Sequence, residues 1–549
     1  MKIGLIGINS QFVHSSLALY YLRETAPDQC QCVMKEYNIN EPILETFYDI
    51  AGSHYDIIAI PVYIWNREVV GKLVHLLKQV CPKTIFVLGG PEPTYAPDAF
   101  PYADYLVAGA LEATWPQLVG ALANGEDIPD LPGLHGIPQF VQSWPFPYRE
   151  SDLEHLKHRL VYYETSRGCP YQCAFCLSSA ESSTAFLPME RVKKELRFFL
   201  DAKIPVVKLV DRTFNYPKER AKEIIAFLIE HYQPGVTFHF ELKGELIDEE
   251  MLSLLISAPK GLFQVEIGVQ TLNEEALRES RRHSQWQRVK EVYRKLIDAE
   301  NIHTHFDLIA GLPHEDYLSF QRSFDQVMSI EPNYLQLGFL KLLPGTKVWN
   351  ERTEHGYVAE PFPPYEVVRG NDIVPDELAV LKKIDGFLDR IYNKGTARNL
   401  LHYAISIWEG SIFSLFYQLA QGQESPAAVL CREIPEQAEI WQGLERLDSF
   451  LYGGKKNFVA PEEEAAVRTF LRDREKVMEY LPHYRDLPER EIYKRIRIIT
   501  LPFQPDLSGR FVTVAAKSSA KVLIDYKNKG MRKKGRNEAS IFLLKHKFL

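Results

Sequence analysis

Thr165-Ser166-Arg167-Gly168-Cys169-Pro170-Tyr171-Gln172-Cys173-Ala174-Phe175-Cys176 sets three cysteines at the spacing C-x3-C-x2-C. Soft thiolate ligands select iron–sulfur clusters, copper(I) or zinc. Structural zinc wants four closed ligands, usually from paired C-x-x-C units, and here one triplet stands without a second knuckle. Three thiolates this close together suit three irons of a four-iron cubane. The fourth iron then lacks a protein ligand and is open to a chelating substrate. A zinc-bound or accidental triplet is the competing reading.

Working outward, Leu160–Ser166 reads as a strand that runs into the Cys loop. Five more strand candidates follow at 206–210, 237–242, 263–268, 304–309 and 334–340, separated by helical patterns at 190–200, 218–230, 273–279 and 287–299. Six such units make a partial (β/α)6 barrel, whose chemistry is expected at the carboxyl ends of its strands. Polar residues recur at those ends: Asp211, Glu241 with Lys243, Glu266 with Gln270, Asp307 and Lys341.

Residues 1–130 alternate apolar, β-branched runs (2–8, 56–60, 84–88, 104–107) with helical stretches (16–25, 69–80). That alternation predicts a doubly wound, Rossmann-like α/β domain. Ligands of such sheets bind at the carboxyl ends of the strands. Gly89, Gly90 and Gly109 fall there, where a missing Cβ lets a ligand approach the backbone. Residues 131–160 hold Pro132, Gly133, Pro138, Pro145 and Pro147, and read as a linker. The barrel takes 161–355. A third, mostly helical region of 370–549 opens with helices at 376–393 and 395–420 and carries two strands at 511–516 and 521–526.

The triplet, with Phe175 just before its last Cys, resembles the cluster loop of radical SAM enzymes. In that family the open iron chelates S-adenosylmethionine (SAM), and an electron from the 4Fe-4S cluster cleaves it. The resemblance implies that Cys169, Cys173 and Cys176 are the iron ligands. It places the Phe175 backbone against the adenine and Glu241 at the methionine or ribose end. Asp211, Gln270 and Asp307 join the SAM-facing or substrate-facing set.

The N-terminal region resembles the cobalamin-binding domain that precedes the radical SAM core in one large subgroup. The matching runs are Gly89-Gly90-Pro91-Glu92 and Val107-Ala108-Gly109-Ala110-Leu111-Glu112. Classical cobalamin domains carry Asp-x-His-x-x-Gly after the first strand, the His ligating cobalt from below. Here the run is Asn9-Ser10-Gln11-Phe12-Val13-His14, so Gln11 stands at the position of the His. The usual Ser-x-Leu after the third strand is replaced by Pro61-Val62-Tyr63. The lower face of the cobalt is therefore expected to lack a protein donor, with Tyr63, Trp65 or Arg67 packed there. The Val62–Asn66 and Asp211–Asn215 runs, with the third region, are similar to one branch of these proteins that ends in a domain of unknown function.

The composition is that of an ordinary globular protein, with 46% hydrophobic and 25% charged residues. No apolar run approaches the roughly 20 residues of a membrane span, and the N-terminus reads as a strand, not a signal peptide. A cytoplasmic protein is expected. The other four cysteines, Cys30, Cys32, Cys81 and Cys431, are scattered and expected to be buried small apolar side chains. A net charge of −8 argues against nucleic acid as a dedicated partner, although Lys527, Lys529, Arg532, Lys533, Lys534 and Arg536 cluster near the C-terminus.

These readings converge on a cobalamin-dependent radical SAM enzyme, a C-methyltransferase acting on a small-molecule or peptide substrate, with flavodoxin or ferredoxin as electron donor. The resemblance implies that SAM yields a 5′-deoxyadenosyl radical and that methylcobalamin supplies the methyl group. The alternatives are a radical oxidoreductase or cyclase without methyl transfer, an RNA-modifying radical SAM enzyme, and a non-enzymatic cofactor sensor.

Overall fold

Lys-Ile-Gly-Leu-Ile-Gly-Ile-Asn is apolar at almost every position, and seven of its eight residues are buried in a computed structural model. A strand covered on both faces belongs at the centre of a parallel sheet. This strand, β1 (Lys2–Asn9), lies between β2 (Gln31–Asn38) and β3 (Ile57–Pro61), followed by β4 (Ile85–Gly89) and β5 (Tyr105–Val107). The order β2-β1-β3-β4-β5, all parallel, is that of flavodoxin-type doubly wound sheets. Ile6, Ile58 and Phe86 belong to one core cluster, and Leu5, Ile57 and Val87 to another. The sequence pattern left β2 unread because it is a half-buried edge strand with polar residues among its apolar ones.

The structure describes residues 1–128, 130–131, 133–134, 140–180, 183–452, 459–526 and 539–544. Pro132, Pro138 and the basic cluster from Lys527 to Arg536 lie outside them. Two compact units emerge, Met1–Ser323 with Leu337–Leu378, and Phe324–Gln336 with Ala379–Leu549.

A second sheet is built from β6 (Leu160–Tyr163), β7 (Val206–Leu209), β8 (Thr237–Leu242), β9 (Phe263–Gln270), β10 (His303–Ala310) and β11 (Tyr334–Phe339), in that order. The sheet is open, with β6 and β11 as its edges, so the barrel is partial. Helices 249–257, 317–328 and 347–350 here, and 43–51 and 111–124 in the first domain, went unread in the sequence; the four barrel helices that were read agree within two residues at their ends. The β6 edge is covered by the loop after β1. Leu160 N donates to Val13 O at 2.6 Å, and the Ser15 hydroxyl donates to Leu160 O at 2.9 Å.

The second unit is largely helical but also holds an antiparallel three-stranded sheet (496–501, 520–525, 540–543). The expected single helix at 395–420 is two, Arg398–Ile407 and Ile412–Ala420, the second capped by the Ser411 hydroxyl. Cys30, Cys32, Cys81 and Cys431 are half-buried rather than buried. Among the described residues no helix is long and apolar enough to cross a membrane.

Asp448 is wholly buried and accepts from Leu400 N at 2.9 Å and Asn399 Nδ2 at 2.6 Å. Burial pushes its carboxyl up to about 7, against the pull of these donors; the unfolded value is about 3.9. The folded unit therefore binds the proton more tightly. That contribution is complete below about pH 4 and is lost as pH rises through about 7. Asp448→Asn should remove this part of the pH dependence. Thermal melts of the wild type should fall from about pH 5 to about pH 8, with a flatter profile in the variant.

Candidate active site

The Cys loop follows β6 and is held from several sides. Asp211 is buried and accepts from Thr165 N at 2.9 Å, Thr165 Oγ1 at 2.5 Å and Ser166 Oγ at 2.6 Å. It therefore anchors the strand that leads into the triplet, instead of facing a cofactor. Gly168 has φ +78°, and a Cβ there would meet Ser183 O at 1.9 Å. Ala174 N donates to Ser280 O and Val348 N to Ala174 O, both at 3.0 Å.

Cys169, Cys173 and Cys176 are free and partly exposed. Cys169 Sγ lies 3.5 Å from Thr213 Oγ1, and the Arg282 guanidinium donates to Cys173 Sγ at 3.6 Å. Burial pushes the Cys173 thiol up and Arg282 draws it back down. A single tetrahedral zinc, with Zn–S near 2.3 Å, would draw its sulfurs to within about 3.8 Å of one another. The three Sγ atoms are not gathered within 4.8 Å; among the described residues only Glu279, Glu351 and His355 are. Those three surround Lys347, which pairs with both carboxylates. The triplet's donor chemistry and spread fit a multi-iron cluster.

The carboxyl ends of both sheets open on one cavity of about 360 Å3, within the ~300–1,000 Å3 of small-molecule sites. Its walls include Pro61, Tyr63, Gly89, Gly90 and Gly109 from the first sheet. From the barrel come Glu164, Arg167, Gly168, Leu177 and Arg212, so the cavity reaches both flanks of the triplet. The wall suits a large ligand laid against backbone. Gly90 has φ +100° and a Cβ there would strike Val62 O at 2.7 Å. The Tyr21 hydroxyl, on another wall residue, is buried with no hydrogen-bond partner. These features fit cobalamin.

Arg167 crosses the cleft. It reaches Glu112 at 2.7 Å and Glu164 at 2.8 Å, and lies 4.5 Å from the Trp144 ring.

Of the residues expected beneath cobalt, only Tyr63 lines the cavity. Burial pushes its phenol up to about 12. Trp65 stacks on Tyr63 at 4.4 Å and is largely exposed. Arg67 turns away, to Glu92 at 3.6 Å and to the Tyr365 hydroxyl. Gln11 is exposed and outside the wall. His14 is held by Tyr162 at 2.7 Å.

Inside the barrel, Lys208 lies 3.2 Å from Glu266 and 3.6 Å from Glu241, His239 3.1 Å from Glu266, and His305 3.0 Å from Asp307. Burial raises the Glu241 and Asp307 carboxyls. Gln270 sits at a β-bulge with φ +71° and its Oε1 buried without a partner. The Phe175 side chain packs against Leu312, Leu340 and Val348. Sequence reading missed Lys208, His239 and His305. Period-two alternation in Thr-Phe-His-Phe-Glu-Leu and His-Thr-His-Phe-Asp-Leu was the available signal. It also missed Arg282, which has no local signature.

Family models match residues 3–119 as a B12 binding domain, 163–327 as the radical SAM superfamily and 353–425 as a protein of unknown function (DUF4080). Among curated relatives, the 2-(S-pantetheinyl)-carbapenam-3-carboxylate methyltransferase of Streptantibioticus cattleyicolor is 26% identical over 373 residues, 58% of this chain and 52% of the relative. The chain thus spans about half the length of that relative. The fold is similar to OxsB with aqua-cobalamin and SAM bound, at TM-score 0.55 and 15% identity over 89% of this chain and 77% of that one. It is also similar to the methyltransferase TsrM from Kitasatospora setae with cobalamin and a [4Fe-4S] cluster, at TM-score 0.54 and 16% identity over 66% and 76%.

Gly90→Ala should cost on the order of 1–3 kcal/mol and weaken cobalamin uptake, read from the visible spectrum of the reloaded protein. Arg167→Met leaves Glu112 buried without its cation. A stability loss of about 3–5 kcal/mol is expected, measured by denaturant unfolding.

Proposed function

We propose that this chain, which carries a B12-binding domain ahead of a radical SAM domain, is a cobalamin-dependent methyltransferase that methylates an unactivated carbon. The observation that carries the reading is the single cavity onto which both sheets open, with Gly89, Gly90 and Gly109 on one side and the flanks of the Cys triplet on the other. When bound, the cluster and SAM supply a 5′-deoxyadenosyl radical and cobalamin supplies the methyl group.

The chain's own share is placement. Cys169, Cys173 and Cys176 hold the cluster, and Asp211 fixes the strand that leads to them. Glu241, Gln270 and Asp307 take the ribose, the methionine end or the substrate. Gly89, Gly90 and Gly109 would let the corrin approach the backbone, and Tyr63 would pack against it from the same wall. No protein atom is assigned as a lower cobalt ligand, because Gln11 is exposed and His14 is engaged by Tyr162. Arg167 and Trp144 narrow the cleft and keep water from the radical.

This reading takes 1–130 as the cobalamin domain, 131–160 as linker, 161–355 as the radical SAM core and 370–549 as the accompanying C-terminal domain. It also favours a reducing cytoplasm, a flavodoxin or ferredoxin as electron source, and a small-molecule or peptide substrate.

Protein purified without oxygen, with cluster and cobalamin restored, should release 5′-deoxyadenosine from SAM under a strong reductant. It should also form about one S-adenosylhomocysteine per cobalamin. Replacing the three cysteines with Ala should abolish iron binding and cut deoxyadenosine at least about 100-fold. Deoxyadenosine without S-adenosylhomocysteine would instead mean radical chemistry without methyl transfer.

A further inference from the structure

We propose that Arg282 is a positioning residue that clamps the cluster loop to the barrel and raises the reduction potential of the cluster; this rests on the iron–sulfur reading above. Its guanidinium makes two directed contacts. Nη1 donates to Cys173 Sγ at 3.6 Å, and Nη2 donates to Gly268 O at 2.7 Å.

The second contact explains the geometry of the first. β9 shifts register against β10 between Gly268 and Gln270. A bulge disrupts the hydrogen-bond ladder locally, and the Gly268 carbonyl turns to Arg282. Gly268 has no Cβ, and one placed there would lie 2.3 Å from Gln270 Nε2. A side chain there would have to displace the Gln270 amide, and the bulge sets the anchor that aims the guanidinium at the sulfur. Two residues upstream, Ser280 O accepts from Ala174 N inside the Cys loop. The segment 280–282 thus grips the loop at backbone and at side chain.

A fixed cation donating to a ligand sulfur favours the more negative, reduced cluster. Cluster potentials respond to net charge and to hydrogen bonds on the sulfurs, and outer partners of metal ligands tune the site. Arg carries its charge at any working pH, and its fork can serve both acceptors at once. Arg281, one residue earlier, is exposed and makes neither contact.

The test compares the full-length wild type with Arg282→Gln, Arg282→Lys and Arg281→Gln. Each is reconstituted without oxygen, assayed for iron, and titrated by electron paramagnetic resonance with no SAM present. Arg282→Gln should show a roughly tenfold lower ratio of reduced to oxidised cluster at a fixed solution potential, equal to about 59 mV for one electron. Arg282→Lys keeps the charge and should stay within about twofold of wild type. Arg281→Gln should match wild type. An Arg282→Gln cluster with the wild-type ratio would overturn the proposal. So would an equal shift in Arg281→Gln, since net charge alone would then be the cause. A wild-type ratio accompanied by weaker SAM binding would assign Arg282 to SAM and overturn the sulfur contact. If Arg282→Gln retains no iron, Arg282→Lys decides: a ratio within about twofold of wild type supports the charge argument, and a tenfold fall rejects it. A wild type that takes up no four-iron cluster would instead refute the functional reading, and the iron assay reports that separately.

Discussion

Arg167 draws together side chains from both sides of the cleft. Burial makes its charge costly, and Glu164 and Glu112 more than offset this, holding its proton more tightly than usual. A charge taken from water stays only where its partners are fixed. Glu164 follows β6, directly ahead of the Cys loop. Glu112 opens the helix 111–124, just after Gly109 and Ala110. Trp144 and Tyr21 lie against the guanidinium from the linker and from helix 17–25. Displacing either glutamate leaves Arg167 with one carboxylate where it had two. The two cofactor faces are therefore registered by an electrostatic demand, on top of apolar packing.

The interior of the barrel follows the same logic. Closed barrels of this type fill their centre with layers of branched apolar residues. Here the sheet is open, and the inward positions of β7–β10 include Lys208, His239, Glu266 and His305. In register, Tyr162 faces Lys208, Lys208 faces His239, and Glu266 faces His305. Lys208 meets Glu241 one strand away and Glu266 two strands away, and His239 meets Glu266 on the next strand. The carboxyls of Glu241 and Asp307 lie 3.6 Å from Lys208 and 3.0 Å from His305, and burial raises them despite these neighbours. Polar groups are thus already fixed inside the barrel before any ligand arrives, which is the electrostatic preorganisation that demanding chemistry needs.

Much of this was legible in the chain. The C-x3-C-x2-C spacing and the six strand patterns of the barrel carry local signals, since strand burial and turn glycines are written within a few residues. Gly90 shows a limit: the pair Gly89-Gly90 reads as a ligand approach, and only the fold reveals that Val62 O forbids a side chain there. Asp211 looked like a ligand at a strand end and instead serves Thr165 and Ser166, about 45 residues earlier in the chain. Arg282 reaches a sulfur 109 residues away. Contacts at such separations leave no periodicity to read.

The loop after β1, where Gln11 stands at the position of the usual histidine, is committed to the barrel edge. A partial barrel leaves β6 as an edge, and an exposed edge invites unwanted pairing. In this chain the 13–15 stretch covers that edge through Val13 O and the Ser15 hydroxyl. Asn9 Nδ2 ties the loop back by donating to His14 O at 2.9 Å and Glu36 Oε1 at 3.0 Å, and Ser16 N donates to the same carboxylate at 2.6 Å. The segment is thus pinned to the barrel edge at Leu160 and to Glu36 of β2, which leaves its side chains little freedom to swing. His14, the one histidine in the loop, faces Tyr162, where burial and nearby Lys208 keep its ring neutral. The few residues of this loop are thus given to closing the barrel edge.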